Sequence, residues 1–598
     1  MAELLFLLSA ILAVKAGVGD TATRRNVLFL VVDDLRPKLG CYGETNMVTP
    51  NIDQFAAKSV MFERAYVQQA VCSPSRTSFL TGRRPDTTRI FDLKHYFRHL
   101  AGNYTTLPEH FKNNGYITQS VGKIFHPGAA SGFTDDYPYS WTNQAYHAPT
   151  QKLTNKKICP GPDGTLTHSA VCPVDLKTVP GGSLPDIQNT DFTIEFLKNR
   201  SMDHKPFFVG MGYHRPHLPF AYPKKYLDLY PLSNIHLAPN PYYPPWLPEV
   251  AWTAFKELRK YDDIKAMNIS YPFGEIPLHY QLKLRQSYSA ATTYTDAQVG
   301  RVLDALDKYG LADNTIITFL GDHGWQLGEH AEWTKHTNFD IAVRIPMMIH
   351  LPGVTAKPAP QGKMFPFRDA FKHSLEFQPE AFDTNQSFSR PKLSEKGLSS
   401  DALVEAVDFY ATIAELAGLD VPSTCPNNSF HVKFCTEGAS LVPIIKNLTM
   451  TPQDSDVRKR MTWKPAVFSQ YPRPSVHPRL FTDDVEEEEE EEEEEDGVHG
   501  SQASSRGRTP IRIMGYTMRT EEHRYTEWIA YDLKTYTPNW SKVYARELYI
   551  YSSDPDEDVN VAKVPAFQHL ATSLSQQLRA GWRKALPNPT LLESSSQV

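Results

Sequence analysis

Two apolar segments far apart in the chain, residues 26–32 and 315–320, constrain its fold most. Both are continuous rather than alternating, and both are soon followed by side chains that can bind cations. Continuous apolar runs of this length are typical of strands buried on both faces of a parallel sheet. Open α/β sheets bind ligands at the carboxyl ends of their strands. We therefore expect the polar side chains after the two strands to meet at one sheet edge: Asp33, Asp34, Asp322 and His323.

The rest of the first 450 or so residues continues the same pattern of strands and helices. Shorter strand candidates and helical stretches alternate along it: strands at 116–121, 207–212 and 345–351, helices at 283–308 and 404–418. Such alternation predicts an α/β domain built on a mainly parallel sheet. We assign this large domain to residues 26–451.

A different pattern follows beyond about residue 440. Residues 511–518, 524–531 and 546–551 are rich in β-branched and aromatic side chains and partly alternate, and a helical stretch follows at 567–582. This pattern predicts a smaller C-terminal domain, residues 511–598, with an antiparallel sheet.

The segment between the two domains, residues 452–510, contains an acidic run. Residues 483–496 hold 13 acidic side chains, among them ten consecutive glutamates. Such a run cannot bury enough apolar surface to fold, so we interpret 452–510 as a linker with an acidic insertion. The formal charge of the chain is −6, and it becomes +7 without these acids. A mildly basic body suits a polyanionic substrate.

The N-terminus and the glycosylation sequons indicate secretion. Residues 4–14 are apolar but too few to cross a bilayer, and small residues follow, which predicts a cleaved signal peptide at 1–19. No later segment is apolar over about 18 residues, so we expect no membrane span. Seven Asn-x-Ser/Thr sequons agree with a glycoprotein: Asn103, Asn199, Asn268, Asn385, Asn427, Asn447 and Asn539.

Cysteine spacing predicts two short disulfide loops. Four of the six cysteines lie in close pairs within polar segments: Cys159 with Cys172, and Cys425 with Cys435. Each disulfide would stabilise the fold by about 2–3 kcal/mol. Cys41 and Cys72 remain outside these pairs.

The most informative motif for chemistry covers residues 72–83, Cys-Ser-Pro-Ser-Arg-Thr-Ser-Phe-Leu-Thr-Gly-Arg. Pro74 restricts the backbone before it, so we expect Cys72 in an extended lead-in to a helix that Ser75 caps. Arg76 would then stand in the first turn, where unpaired backbone N–H groups already favour an anion. The motif therefore predicts an anion site beside a thiol.

This string is similar to the sulfatase signature, Cys-x-Pro-Ser-Arg followed by Thr-Gly-Arg. The resemblance implies that a formylglycine-generating enzyme oxidises Cys72 to Cα-formylglycine, whose hydrated aldehyde is the nucleophile. A gem-diol can expel sulfate by collapsing back to the aldehyde, whereas a serine or thiol would need water to release it. Since a disulfide to Cys72 would prevent this oxidation, we expect Cys41 to be a small buried thiol. The family also implies an alkaline-phosphatase-like large domain and a four-stranded antiparallel sheet in the C-terminal domain.

The same resemblance gives roles to the polar side chains at the strand ends. With residue 72 they would hold one Ca²⁺, and carboxylate oxygens favour Ca²⁺ or Mg²⁺ over Zn²⁺. His323 stands where the family usually has Asn, which leaves the identity of the metal open. His126 would remove the proton that lets sulfate leave, and Lys335 or His217 would protonate the departing sugar oxygen. The implied sulfate-binding and catalytic set is Cys72, Arg76, Lys123, His126, His217 and Lys335.

Matches beyond the signature imply a substrate. They include Val-Asp-Asp-Leu-Arg-Pro at 32–37 and Asp-His-Gly-Trp at 322–325. They resemble the members of the family that remove the 2-O-sulfate of terminal L-iduronate from dermatan sulfate and heparan sulfate. The resemblance implies a lysosomal exo-sulfatase that travels through the secretory pathway, binds no nucleic acid and is a monomer. It also implies cleavage within 452–510 into two chains that stay associated.

Three other functions compete with this hypothesis: another glycosaminoglycan or aryl sulfatase, a phosphomonoesterase or phosphodiesterase, and an inactive glycosaminoglycan-binding homologue. Phosphoesterases on this scaffold use Ser or Thr in place of Cys72 and two zinc ions, for which we find no second ligand set in the sequence. For recognition of the substrate carboxylate we expect basic or aromatic side chains: Arg89, Lys94, Trp325 and Trp333.

Overall fold

The computed structural model describes residues 24–161, 163–357, 362–376, 397–450, 462–478 and 511–587. The predicted signal peptide, the glutamate run and the sequon at Asn385 lie outside these residues. Within the part of the chain that is described, no helix combines the length and the apolarity needed to cross a bilayer.

A seven-stranded sheet forms the centre of the large domain. Its strands are β1 (Asn26–Val32), β2 (Val60–Tyr66), β3 (Ile117–Gly122), β4 (Phe207–Tyr213), β5 (Thr315–Gly321), β6 (Arg344–His350) and β7 (Leu398–Glu405). The order across the sheet is β7-β2-β6-β5-β1-β4-β3. Six strands run parallel to one another, and β6 is antiparallel to both of its neighbours. The predicted α/β fold with a mainly parallel sheet is confirmed.

Strands β1 and β5 lie side by side, and every residue of both is buried. They pair in parallel along their whole length, ending with Val32 opposite Gly321. This register brings the two carboxyl ends level, and the backbone N–H of Asp34 donates to Asp322 Oδ1 at 3.0 Å. The predicted meeting of the polar residues at one sheet edge is therefore confirmed.

Six longer helices surround the two sheets: α1 (Cys72–Thr81), α2 (Pro185–Asp203), α3 (Leu278–Lys308), α4 (Asp408–Leu416), α5 (Val442–Thr449) and α6 (Gln568–Ala580). Shorter helices are Pro50–Ala56, Pro85–Thr88, Phe97–Leu100, Leu107–Asn113, Lys256–Arg259, Asp262–Lys265, Asp340–Val343, Ala370–Glu376 and Trp582–Ala585. On one face of the large sheet, Phe29 packs against Phe79 of α1 and Phe409 of α4. The opposite face of β1 packs in a cluster with α2 and α3. The predicted helix at 404–418 is too long, because residues up to Glu405 belong to β7.

The small sheet has four antiparallel strands in sequential order: β8 (Ala466–Arg473), β9 (Ile513–Thr520), β10 (His523–Asp532) and β11 (Thr537–Ile550). Helix α6 packs on it through Leu574 and Leu578. The assignment of 452–510 to a linker is wrong for β8, which pairs with β9 over eight residues. β8 also joins the small sheet to the large domain, since the Gln470 N–H donates to the carbonyl of Gln68 at 2.8 Å.

Both predicted disulfides are present, Cys159–Cys172 and Cys425–Cys435. Cys41 and Cys72 are free thiols, as expected, although Cys41 is half-buried rather than buried. Cys41 lines a different cavity from Cys72, and its backbone N–H donates to Asp53 Oδ1 at 2.7 Å.

Candidate active site

Cys72 is the first residue of helix α1. Val71 before it is extended, with φ −152° and ψ 142°, and serves as the N-cap. Pro74 fits in the first turn because its missing N–H would have no helical partner there. The expected extended lead-in and the cap at Ser75 are therefore wrong. Ser75 lies inside the helix, and its hydroxyl donates to the backbone carbonyl of Asp322.

Arg76 lies one turn after Cys72 and is fully buried. Its Nε is 2.9 Å from Asp322 Oδ2, and its Nη2 is 3.1 Å from Asp33 Oδ1. It also donates to the backbone carbonyls of Lys123 and Ile124. We expected Arg76 in the first turn beside the sulfate, but these contacts show it orienting two carboxylates from within the protein.

The thiol of Cys72 lies among charged groups, and the residue is 1% exposed. Its Sγ is 3.3 Å from His323 Nε2, 3.4 Å from Asp33 Oδ1 and 3.5 Å from Lys335 Nζ. Burial, reinforced by the negative charge of Asp33, raises the pKa of the Cys72 thiol to about 12. The unmodified thiol is therefore protonated at neutral pH and is a poor nucleophile, because the thiolate is the reactive form.

Four buried residues could hold a metal ion, since one donor atom of each lies within 4.8 Å of the others: Asp33, Asp34, Cys72 and His323. Among the described residues, Asp34 Oδ2 has no hydrogen-bond donor although it is buried. A buried carboxylate oxygen without a donor needs a cation or a proton, so the set fits a divalent ion that prefers oxygen ligands.

Asp322 is not in this group of four, although we expected it to be a ligand. Its Oδ1 accepts the backbone N–H groups of Asp34 and His323, at 3.0 and 2.9 Å. Its other oxygen is bound to Arg76. In this structure Asp322 therefore fixes the backbone of the two neighbouring ligands.

A pocket opens in front of Cys72. Six of the residues predicted for the site line it: Asp33, Cys72, Lys123, His126, His217 and Lys335. Three further basic residues in its wall had no predicted role in the site: His214, Arg215 and Lys260. All three are less than a tenth exposed. The pocket is therefore strongly basic, which suits an anionic ester.

The two lysines of the pocket are paired with the two aspartates at the end of β1. Lys123 Nζ is 2.9 Å from Asp33 Oδ2, and Lys335 Nζ is 3.1 Å from Asp34 Oδ1. Burial alone would lower the pKa of each lysine, but the carboxylates outweigh it and both pKa values are raised. Both side chains are therefore ammonium ions at neutral pH.

The histidines of the pocket are neutral. Burial, and then the charge of Lys123, lower the pKa of His126 well below its usual range. Burial, and then Lys335, do the same for the pKa of His217. His217 Nδ1 is 2.6 Å from the carbonyl oxygen of Leu218, so Nδ1 carries the hydrogen. The Nε2 lone pair of neutral His217 is therefore free to accept a proton.

Asp186, at the start of α2, holds the loop that carries His214 and His217. Its two carboxylate oxygens accept the backbone N–H groups of His214 and Arg215, at 2.8 and 3.0 Å. His214 is buried, and its Nε2 has no hydrogen-bond partner in the described part of the chain. The Tyr-His-Arg-Pro-His string marks this loop in the sequence, but nothing there shows that both histidines line the pocket.

The residues expected to recognise a substrate carboxylate are not in the pocket wall, although the ring centre of Trp325 lies 5.4 Å from Lys335 Nζ. Arg89 stacks on Phe430, with its guanidinium 3.9 Å from the ring centre. Trp325 and Trp333 are buried. Within the described residues, none of the four lines the pocket: Arg89, Lys94, Trp325 and Trp333. That expectation is not supported.

The fold and the site define a sulfatase. The sulfatase family profile matches residues 25–419, and the chain belongs to this family. Iduronate 2-sulfatase of Mus musculus is 45% identical over 552 residues, which are 92% of each chain. Iduronate 2-sulfatase of Homo sapiens is also 45% identical, over 545 residues that cover 91% of this chain and 92% of the human one. The same fold occurs in the phosphonate monoester hydrolase of Silicibacter pomeroyi, with a TM-score of 0.61, 20% identity and coverage of 94% and 96%.

Proposed function

We propose that this protein hydrolyses the 2-O-sulfate of terminal L-iduronate in dermatan sulfate and heparan sulfate. The observation that supports this chemistry is the position of the buried Cys72 thiol within the sulfatase signature. The thiol contacts the ammonium groups of Lys123 and Lys335. It also lies beside two carboxylates that could bind a metal ion, those of Asp33 and Asp34. The 45% identity to two iduronate 2-sulfatases over nine-tenths of the chain supports the choice of substrate.

Two groups that this family uses would complete the site. Conversion of Cys72 to Cα-formylglycine by a formylglycine-generating enzyme supplies a hydrated aldehyde as the attacking group, which the protonated thiol cannot provide. One Ca²⁺ would be held by Asp33, Asp34, His323 and residue 72, and it would supply positive charge to the sulfate group. The Oδ2 atom of Asp34, which lacks a hydrogen-bond donor among the described residues, supports this proposal.

The remaining work belongs to side chains that the structure places in the pocket. Lys123 and Lys335 present two fixed positive charges to the sulfuryl oxygens, in a site where little water weakens them. Lys335 donates the proton to the departing sugar oxygen, because neutral His217 has no hydrogen on the nitrogen that faces the site. His126 is half-buried and neutral, so it is suited to accept the proton whose removal releases sulfate.

The pocket also offers a partner for the uronate carboxylate. Lys260 lines the pocket and is 8% exposed. It lies outside the sulfatase signature in the sequence. We assign the carboxylate to Lys260, with Arg215 nearby. Arg215, whose guanidinium donates to the carbonyls of Ala221 and His217, is the second candidate.

We place the protein in the lysosome, reached by the secretory pathway. The predicted signal peptide and the two disulfides support an oxidising route. Five of the sequons have exposed asparagines, as glycosylation requires: Asn103, Asn199, Asn268, Asn427 and Asn539. We propose that the protein acts as a monomer and tolerates cleavage between β8 and β9 of the small sheet.

The test uses purified protein and disaccharides that carry a single sulfate at different positions. We expect release of sulfate from a terminal iduronate 2-sulfate and none from a glucosamine 6-sulfate. A Cys72→Ala variant should release none from either. Preference for another position would replace the proposed substrate, and normal turnover by the variant would overturn the proposed chemistry.

A further inference from the structure

A buried glutamate that no sulfatase motif includes touches the proposed proton donor. Glu257 lies in the one-turn helix Lys256–Arg259 and is 4% exposed. Its Oε1 is 3.5 Å from Lys335 Nζ and 3.6 Å from His217 Nε2. Its Oε2 is 3.2 Å from His336 Nε2. One carboxylate therefore contacts three basic side chains at the edge of the site.

The second oxygen of Glu257 contacts His336, and residues of the small sheet hold His336 in place. A carboxylate only accepts hydrogen bonds, so His336 Nε2 carries the hydrogen and Nδ1 faces the Tyr471 hydroxyl at 2.9 Å. Arg473 donates to the carbonyl of His336 at 2.7 Å. His336 has φ 76°, a left-handed conformation that costs a non-glycine residue about 1–3 kcal/mol. These contacts from β8 hold it in that conformation and hold the carboxylate of Glu257 in one orientation.

Glu257, His217 and Asp34 also lie close enough together to suggest a second metal site. Lys335 argues against one. Its ammonium lies 3.1 Å from Asp34 Oδ1 and 3.5 Å from Glu257 Oε1. A cationic group of the protein therefore already lies between these two carboxylates, which makes Glu257 a partner of Lys335.

We propose that Glu257 is a positioning residue that holds the ammonium of Lys335 against the oxygen that leaves with the sugar. Asp34 also contacts Lys335, but it belongs to the group that could hold the metal ion. Its negative charge would therefore be shared between the ion and the lysine. Glu257 is not one of the four residues around Cys72 that could hold the ion, so it stays with the lysine. This inference rests on the proposed function, since it needs a sulfate ester whose leaving group is an alcohol.

The chemistry predicts which substrates depend on Glu257. The S–O bond to the sugar breaks, its electron pair stays on the sugar oxygen, and that oxygen takes a proton from Lys335 Nζ. The oxygen that replaces it on sulfur comes from the hydrated aldehyde at residue 72, which water hydrates again after sulfate has left, so the net products are the alcohol and sulfate. A poor alcohol leaving group needs the proton in the transition state, whereas a more acidic alcohol needs it less. General-acid assistance contributes about 10²–10⁴ in rate. Misplacing the proton donor should therefore slow the cleavage of esters with poor leaving groups more than the cleavage of esters with acidic alcohols.

The experiment compares Glu257→Gln with wild type on two substrates, a methyl iduronoside 2-sulfate and its 3-fluoro derivative, whose alcohol is more acidic. We expect kcat on the first to fall about 10- to 100-fold with KM changed less than about threefold, and kcat on the second to fall at least about threefold less. Glu257→Asp keeps the charge and should recover part of the loss. Glu332→Gln is the matched control, because Glu332 is a fully buried glutamate that accepts the Thr253 N–H and does not line the pocket within the described residues.

Equal loss on the two substrates, or a loss confined to KM, would overturn the positioning role. The positioning role is also refuted if Glu332→Gln changes the substrate preference as Glu257→Gln does, because the effect would then be general damage. If wild-type protein cleaves neither ester, the proposed function fails instead, so the two failures are distinguishable.

Discussion

Loss of the Glu405 carboxylate should destabilise the contact between the two sheets by an amount that depends on pH. Glu405 ends β7, is 1% exposed and binds the guanidinium of Arg84 through both oxygens, at 2.8 and 2.7 Å. Lys464 Nζ is 2.8 Å away, and the N–H of Phe468 in β8 donates at 3.0 Å. Removing one partner of such a buried ion pair costs about 3–5 kcal/mol, because the remaining charges are buried and unpaired.

The titration of Glu405 gives a second measure of this energy. Burial raises the pKa of its carboxyl, but Arg84 and Lys464 outweigh burial and lower it from the ordinary 4.5 to about 2. That difference corresponds to about 3 kcal/mol in the free energy of unfolding at neutral pH. Since the folded pKa is depressed, this stability is fully present above about pH 5 and is lost as the pH falls towards about 2.

The assay is guanidinium unfolding of wild type and Glu405→Gln, followed by tryptophan fluorescence at about pH 7, 5 and 3. We expect a loss of about 3 kcal/mol at the two higher pH values and a smaller loss at about pH 3. Glu195→Gln removes an exposed pair with Lys198, whose side chains are 58% and 48% exposed, and should cost less than about 0.5 kcal/mol. A loss below about 1 kcal/mol for Glu405→Gln, or one that does not change with pH, would refute the reasoning.

Two further predictions concern the substrate and the acidic insertion. Lys260→Gln should raise KM about tenfold or more for an iduronate 2-sulfate but not for the matching hexose 2-sulfate that lacks the carboxylate, since a charged hydrogen bond contributes about 1.5–3 kcal/mol; an equal change on both would exclude the proposed contact. Limited proteolysis should cut first within residues 479–510, and the two fragments should stay together and active, because β8 on one fragment pairs with β9 on the other. Separation of the fragments by gel filtration, or a large loss of activity on deleting 483–496, would contradict this.

The core of the fold is predictable because burial on two faces leaves continuous apolar runs. Strands β1 and β5 have this pattern, whereas β2 contains Glu63 and Arg64 and does not show it. Strand β8 resembles part of a linker in the sequence because Pro472 and its neighbours suggest a loop. β8 is an edge strand of the small sheet, where a proline removes no hydrogen bond that the sheet needs.

The candidate site is predictable where its residues follow strands or lie in the signature. Asp33, Asp34, Asp322 and His323 follow the two strands that the apolar runs mark, so sheet register alone brings them together. Glu257 and His336 come from a short helix and an irregular segment, and only the packing of β8 against the large domain places them at the site. No spacing in the sequence reports that contact.

The central claim is that residue 72 acts as formylglycine in sulfate ester hydrolysis. Mass spectrometry of the peptide that contains Cys72, from protein made in cells with a formylglycine-generating enzyme, tests it most directly when the same sample is assayed for sulfate release. We predict an aldehyde at residue 72, with activity proportional to the converted fraction. An unmodified thiol in fully active protein would contradict the account.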